Sequence, residues 1–350
     1  MLFLKDFNYQ LPSSLIAQEP VKPRDHARLL CLGRADGQIR HSRFDEIGLC
    51  LQAGDVLVIN NSRVFPARLV GKKAESGGRV EIFLHKPIDK QTWECLVGGR
   101  VHAGVTVKLG RDLIAYLQND QGDGTWLVKF NQQGHKFWRT LNHIGQMPLP
   151  PYIKPGANQR LDRCRYQTVY AEDKNNGSVA APTAGLHFTA RLLAKLRRQG
   201  IIIAPVTLHV GLGTFASIKS ENIIEHQMHE EFIQISQKTA QILAKAKKDG
   251  RRIVAVGTTS CRTLESYGQA IKSGRFAWGQ AYQDWTKIFI YPGYEFQVID
   301  ALITNFHLPK SSLLLLVSAL AGPVAIRRVY QEAIAQKYRF YSYGDAMFIG

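Results

Sequence analysis

Gly54-Asp55-Val56-Leu57-Val58-Ile59-Asn60-Asn61 is the stretch on which the reading of the fold turns. Four apolar residues, three of them β-branched, stand between Gly-Asp and Asn-Asn. That texture predicts a strand buried on both faces and ending in a polar loop, as in α/β sheets. The chain then leaves this pattern at once. From Arg63 to Met147 it becomes a series of short alternating runs, such as Arg79-Val-Glu-Ile-Phe83, Val105-Thr-Val-Lys-Leu109 and Trp126-Leu-Val-Lys-Phe130. Turn-formers at Ser76-Gly-Gly78 and Asn119-Asp-Gln-Gly-Asp-Gly124 separate them. Short strands at this spacing, without helical periodicity, predict a small antiparallel β-barrel. The Pro-rich run Met147-Pro-Leu-Pro-Pro-Tyr152 closes that zone.

Beyond it the α/β pattern returns. Residues 189–200 read as a helix with a Thr cap and a terminal Gly, and Ile201–Val210 as a strand. Thr239, Ile242, Leu243 and Ala246 keep helical phase, and Ile253–Val256 is again a strand. Ser312–Leu320 reads as a buried helix. Ile326, Val329, Tyr330, Ala333 and Ile334 form one more amphipathic face. The expected fold is α/β, a mixed sheet with flanking helices, with an inserted small antiparallel β-barrel domain. The α/β domain is expected to be discontinuous, 1–62 and 148–350, with the barrel at 63–147.

The chain has 350 residues, with 45 Lys+Arg against 28 Asp+Glu, and the resulting +17 predicts attraction to a polyanion. A content of 45% hydrophobic and 21% charged residues excludes a mainly disordered or fibrous chain. The apolar run Leu313–Leu320 is far short of the roughly 20 residues a membrane helix needs. The first residues lack a signal-like pattern, so a soluble, cytoplasmic protein is expected. Cys31, Cys50, Cys95, Cys164 and Cys261 are scattered and form no CxxC pair, and no HExxH spacing exists. Free thiols and no metal are the expectation.

Several loops carry chemistry. Val206-Thr-Leu-His-Val-Gly-Leu-Gly-Thr-Phe215 runs a strand into Gly211-x-Gly213, as nucleotide-holding turns do. Ala216 stands where a third glycine is required, and His209 where a methyltransferase loop has an acid. Val254–Glu265 offers a Gly-hydroxyl turn with Thr258, Thr259 and Ser260, suited to N-capping or to an anion. Arg262 and Glu265 are placed to form a surface pair. Ser178–Phe188 combines small residues with Thr183 and His187. His187, His209, His226, His229 and His307 all fall in loop-like segments. Strand alternation puts His229 and Glu231 on one face. Asn60-Asn61-Ser62-Arg63 and Thr304-Asn305-Phe306-His307 follow apolar strands, where open α/β sheets bind ligands. Lys337–Met347 interleaves basic and aromatic residues, either for stacking bases or as a strand with core aromatics.

Taken in order, these segments resemble the S-adenosylmethionine:tRNA ribosyltransferase-isomerase family of queuosine biosynthesis. The matching stretches include Asn60–Arg68, Gly145–Ile153, Tyr166–Tyr170, Val179–Phe188, Thr207–Phe215, Met228–Glu231, Val256–Ser260, Phe289–Gly293, Thr304–Pro309 and Tyr343–Met347. Ser62 stands where Thr is familiar, which keeps the hydroxyl, and Cys261 occupies a variable apolar position. The resemblance implies an α/β domain with an inserted barrel. It implies transfer and isomerisation of the ribosyl part of S-adenosylmethionine onto the aminomethyl group of a 7-deazaguanine base at the tRNA wobble position. Epoxyqueuosine, adenine and methionine would be the products, with S-adenosylmethionine consumed as co-substrate and no metal. A sulfonium acidifies its neighbouring carbon, so a moderate base suffices.

On this reading His187, the His229–Glu231 pair and Asp345 handle protons. The substrate set is Asn60, Thr183, His209, Gly211, Gly213, Thr214, Thr258, Thr259, Ser260, Asn305 and His307. Tyr343 would place the sulfonium by cation–π attraction. Arg24, Arg28, Arg63, Arg160, Arg163 and Arg165 are expected on tRNA phosphates. A monomer is expected. The competing readings are a conventional SAM-dependent RNA methyltransferase and a non-catalytic tRNA-binding protein. The first wants a Gly-x-Gly-x-Gly loop that the chain lacks. The second leaves the His-, Asp- and Glu-bearing loops without a purpose.

Overall fold

The computed structural model describes residues 3–122, 124–154, 156, 158–211, 218 and 220–350. The first strands are β1 (Arg28–Leu32), β2 (Ile39–Arg43), β3 (Val56–Asn60) and the short β4 (Arg63–Val64). Next come β5 (Arg68–Lys73), β6 (Arg79–Pro87), β7 (Thr92–Gly98), β8 (Thr106–Gly110), β9 (Leu113–Asp120) and β10 (Thr125–Phe130). Helices α1 (Gly134–Ile144) and α2 (Gln159–Arg165) precede the short β11 (Asn176–Ser178), then α3 (Ala190–Arg198) and β12 (Ile202–Leu208). The rest is β13 (Glu231–Ile235), α4 (Gln237–Lys248), β14 (Ile253–Val256), α5 (Gly257–Lys272) and β15 (Tyr282–Thr286). It ends in β16 (Ala301–Asn305), α6 (Ser312–Ala321), α7 (Pro323–Ala335) and β17 (Ala346–Ile349).

Two compact units result. One comprises residues 1–63, 167–175 and 181–350, and the other residues 64–166 and 176–180. The stretch 148–166, grouped with the α/β part in the expected division, goes with the barrel here. Its α2 supplies Arg163, whose guanidinium caps carbonyls of Asn142 and Gly145 at the end of α1. The fold class is as the sequence implies, a mixed sheet with helices plus a closed antiparallel barrel.

In the first unit nine strands are ordered β15-β13-β12-β3-β14-β16-β17-β1-β2. Every residue of β3 is buried, because β12 and β14 flank it in parallel, pairing Val58 with Ala204 and Ala255. β14 and β16 are also parallel, whereas β17 runs antiparallel to β16, and β13 antiparallel to β12. The carboxyl ends of β12, β3, β14 and β16 therefore share one sheet edge with the start of β17. β1 parallels β17 and so starts there too. Helix α3 has the Thr189 cap expected of it, the hydroxyl accepting from Leu192 N at 3.1 Å. Leu192, Leu193 and Leu196 drive its apolar face into the sheet core beside Leu57 and Val254.

In the second unit the order β10-β7-β6-β5-β8-β9 closes on itself, which removes exposed edges. The expectation of strands alone there was incomplete. Helix α1 falls within the zone, and its Phe137 and Leu141 join the barrel core with Phe65, Trp93 and Phe130. Among the described residues no single helix is long and apolar enough to cross a membrane.

Candidate active site

The shared sheet edge gathers most of the expected site. Asn305 ends β16, and its Nδ2 donates to His187 Nε2 at 3.1 Å and to the Tyr341 carbonyl at 3.1 Å. Nε2 must then be the unprotonated nitrogen of the imidazole. His187 lies on the helical turn Thr183–His187, only 4% exposed, with its ring 5.0 Å from that of Phe44. Burial, helped by the charges of Arg339 and Arg24, pulls its pKa down to about 3. The imidazole is therefore neutral at physiological pH. His187 also lines a narrow crevice of about 10 Å³ with Arg24, Leu186, Ser342 and Tyr343. Thr183 is half-buried at the start of the same turn.

Asp345, just before β17, is 1% exposed. Its two oxygens accept from the backbone amides of Arg28 and Arg339 at 2.9 and 2.8 Å. Burial raises its pKa and those amides oppose the rise. The carboxylate thus fastens the starts of β1 and β17, and Arg339 in turn donates to the Tyr343 carbonyl at 2.5 Å.

At the other end of the edge, Glu231 begins β13. One oxygen accepts from Gly211 N at 3.0 Å and the other meets the guanidinium of Arg262, which is also buried. The alternation expected to join His229 to Glu231 does not do so. His229 is exposed, and Glu231 turns inward to Arg262. Nor do Arg262 and Glu265 make a surface pair. Both are buried, and Glu265 accepts from the amides of Gln297, Val298 and Ile299 and from the Tyr294 hydroxyl. Thr258, Thr259 and Ser260 occupy the first turn of α5, whose start carries no side-chain cap. The hydroxyls of Thr259 and Ser260 are buried without a partner among the described residues. That turn leaves backbone donors and two hydroxyls for a carboxylate or another acceptor.

His209 follows β12, with its ring stacked on Phe232 at 5.5 Å and 17°. Burial lowers its pKa to about 4. Gly213 and Thr214 lie outside the described residues. Asn60 is spent on the backbone, since its Nδ2 donates to Leu208 O and its Oδ1 accepts from Leu208 N and Ser62 N. His307 turns to Thr304, Nε2 to Oγ1 at 2.8 Å, and burial pulls its pKa to about 3. Tyr338, Phe340, Tyr341 and Tyr343 are buried, so the basic-aromatic segment is a core element rather than an exposed stacking surface.

The arginines behave unequally. Arg24 donates to Gln167 O at 2.7 Å, and Arg28 stacks over Tyr338 at 3.7 Å. Arg63 pairs with Asp173 at 3.0 Å, and Arg163 binds α1 carbonyls. Arg165 is half-buried and Arg160 exposed. Sequence reasoning missed Phe44 and Arg339, and took Arg262 only as half of a surface pair. Arg262 had a signal, because α5 buries almost every residue from Gly257 to Gly268, and a charge inside such a helix needs a partner. Among the described residues no group of three or more His, Cys, Asp or Glu is placed to hold a metal.

The profile of the family described as "Queuosine biosynthesis protein" matches residues 4–349. The chain belongs to that family. An S-adenosylmethionine:tRNA ribosyltransferase-isomerase of Desulfitobacterium hafniense (strain DSM 10664 / DCB-2) is 51% identical over 349 residues, covering 99% of each chain. A crystal structure of an S-adenosylmethionine tRNA ribosyltransferase from Thermotoga maritima is 37% identical. It matches at a TM-score of 0.56 over 99% of this chain and 100% of that one. Membership of the queuosine biosynthesis family thus extends across both units.

Proposed function

We propose that this enzyme transfers and isomerises the ribosyl moiety of S-adenosylmethionine onto the 7-aminomethyl-7-deazaguanine base at the tRNA wobble position. Epoxyqueuosine-tRNA forms, and adenine and methionine leave. The observation that carries this reading is 51% identity to a ribosyltransferase-isomerase, collinear over 99% of both chains. S-adenosylmethionine is consumed as co-substrate, and the enzyme works as a cytoplasmic monomer without a metal.

The geometry supports a division of labour. His187, neutral and with Nε2 accepting from Asn305, serves the crevice as a hydrogen-bond donor through Nδ1–H. Asp345 is a positioning residue that fixes Arg28 and Arg339, and through Arg339 the Tyr343 backbone. The Glu231–Arg262 pair braces Gly211 and the start of α5, where Thr258, Thr259 and Ser260 receive the methionine part. His229 stays available from the exposed loop before β13. The positive excess draws the anticodon arm, whose single-stranded bases can be splayed out for reaction.

Free adenine formed from S-adenosylmethionine only with the prepared tRNA is the expected product on chromatography. S-adenosylhomocysteine instead would mean a methyltransferase, and no turnover a binding protein. If folded His187→Ala and Asp345→Ala both released adenine at the parent rate, the site assignment would fail.

A further inference from the structure

Cys31 and Cys50 are nineteen positions apart in sequence, yet their Sγ atoms lie 3.2 Å apart. Cys31 is buried in β1, and Cys50, a half-buried residue, ends the helical turn Phe44–Cys50. Neither is used by the chemistry proposed above. We propose that this pair is a peroxide-reactive dithiol that closes to a disulfide in the folded protein. The remaining approach is short, from 3.2 Å to the roughly 2.05 Å of an S–S bond.

The surroundings favour a nucleophile at Cys50. Arg40 stands directly across from Cys31 in the β1–β2 register, and Arg252 Nη2 donates to the Cys50 carbonyl at 3.2 Å. Arg252 also pairs with Asp55 and lies in the field of Asp300, both carboxylates. The contact with the Cys31 thiol, with Arg40 and Arg252, brings the Cys50 pKa to about 7, while Cys31 is pushed up and stays protonated. Cys50 is thus the attacking sulfur and Cys31 the resolving one.

The steps balance. The Cys50 thiolate attacks a peroxide oxygen, the O–O bond breaks, and hydroxide leaves as Cys50 becomes a sulfenic acid. Cys31 sulfur then attacks the Cys50 sulfur and expels a second hydroxide, its own proton completing the water. Two thiols lose two electrons, and the peroxide is reduced to two waters. The bond joins β1, whose Arg28 amide holds Asp345, to the turn whose Phe44 ring backs His187.

Of the other thiols only Cys164 is exposed, so the test uses the folded Cys164→Ser full-length chain. Treated with hydrogen peroxide, it should lose two hydrogen atoms by intact mass and yield a Cys31–Cys50 linked peptide that dithiothreitol releases. In Cys31→Ser/Cys164→Ser the same treatment should leave a sulfenic acid at Cys50, trapped by dimedone. The proposal is overturned if neither the linked peptide nor the dimedone adduct forms while the urea-unfolded chain reacts. The contact would then be an S–H···S hydrogen bond between inert thiols.

Discussion

Lowering the pH from 7 to 5 is expected to destabilise the α/β unit by about 4 kcal/mol through His187 and His307 alone. Burial holds both near 3 in the folded chain, against about 6.5 when unfolded. Between those values the unfolded chain binds more protons, so stability is complete above about 6.5 and is lost as pH falls toward 3. An unfolded histidine is about a quarter protonated at pH 7 and almost fully at pH 5, while the buried one stays neutral. Integration gives about 1.9 kcal/mol for each. The assay is urea unfolding at the two pH values, followed by hydrogen exchange in peptides of β14, β16 and β17. His187→Gln keeps an acceptor for Asn305 but cannot titrate. Its loss between pH 7 and 5 should be smaller than the parent's by about 2 kcal/mol. A loss equal to the parent's, within about 0.5 kcal/mol, would mean that His187 is not held neutral by burial, and the reasoning would fall.

Glu231→Gln leaves Arg262 buried without its counter-charge and should cost about 3 kcal/mol in urea unfolding. Arg262→Met added to it should recover most of that loss. At Gly185 a Cβ would stand 1.9 Å from the Tyr170 hydroxyl, which is buried without a partner among the described residues. Gly185→Ala should therefore lower the melting temperature sharply, whereas Tyr170→Phe should be neutral or stabilising and should soften the alanine effect. The tRNA affinity should fall linearly on a log–log plot against salt. Arg160→Gln, exposed in the barrel unit, should reduce the slope by about 0.7 to 1 without changing sequence preference.

The parts of the fold legible in sequence were those with strong periodicity or strong punctuation. β3 was readable because a strand central in a parallel region is apolar on both faces, and α3 because its cap and its stop are both written in side chains. Helix α1 was not, since its core contacts are few and its other faces polar. The candidate site was legible as loops, because ligand-facing segments of an α/β sheet follow the carboxyl ends of strands. Which side chain meets which was not legible. His229 and Glu231 alternate as a strand pair should, but the buried Arg262, more than thirty positions on, takes the carboxylate. Asp345 read as an acid for chemistry because its two backbone donors come from Arg28 and Arg339, one of them at the far end of the chain. Cys31 and Cys50 looked scattered for the same reason. Tertiary partners have no local period.

The electrostatics of the sheet edge resolve an apparent conflict in the opening charge count. A chain of +17 that must also hold a sulfonium would repel its own co-substrate if the excess were spread through the site. Two unit charges 4 Å apart cost about 4 kcal/mol at an effective dielectric of 20. Among the described residues, however, Arg262 is the only buried Lys or Arg, and Glu231 neutralises it. His187, His209 and His307, which an ordinary pKa would leave partly charged near neutrality, are kept neutral by burial. Asp345 accepts from two backbone amides and also lies in the field of Arg339 and Arg28. The basic excess thus stays with solvent-reachable side chains, where it can meet phosphates, and Arg24 and Arg339 are half-buried cations that still act on His187. A neutral imidazole at His187 adds no charge of its own to this edge, and a cation tolerates it as a neighbour.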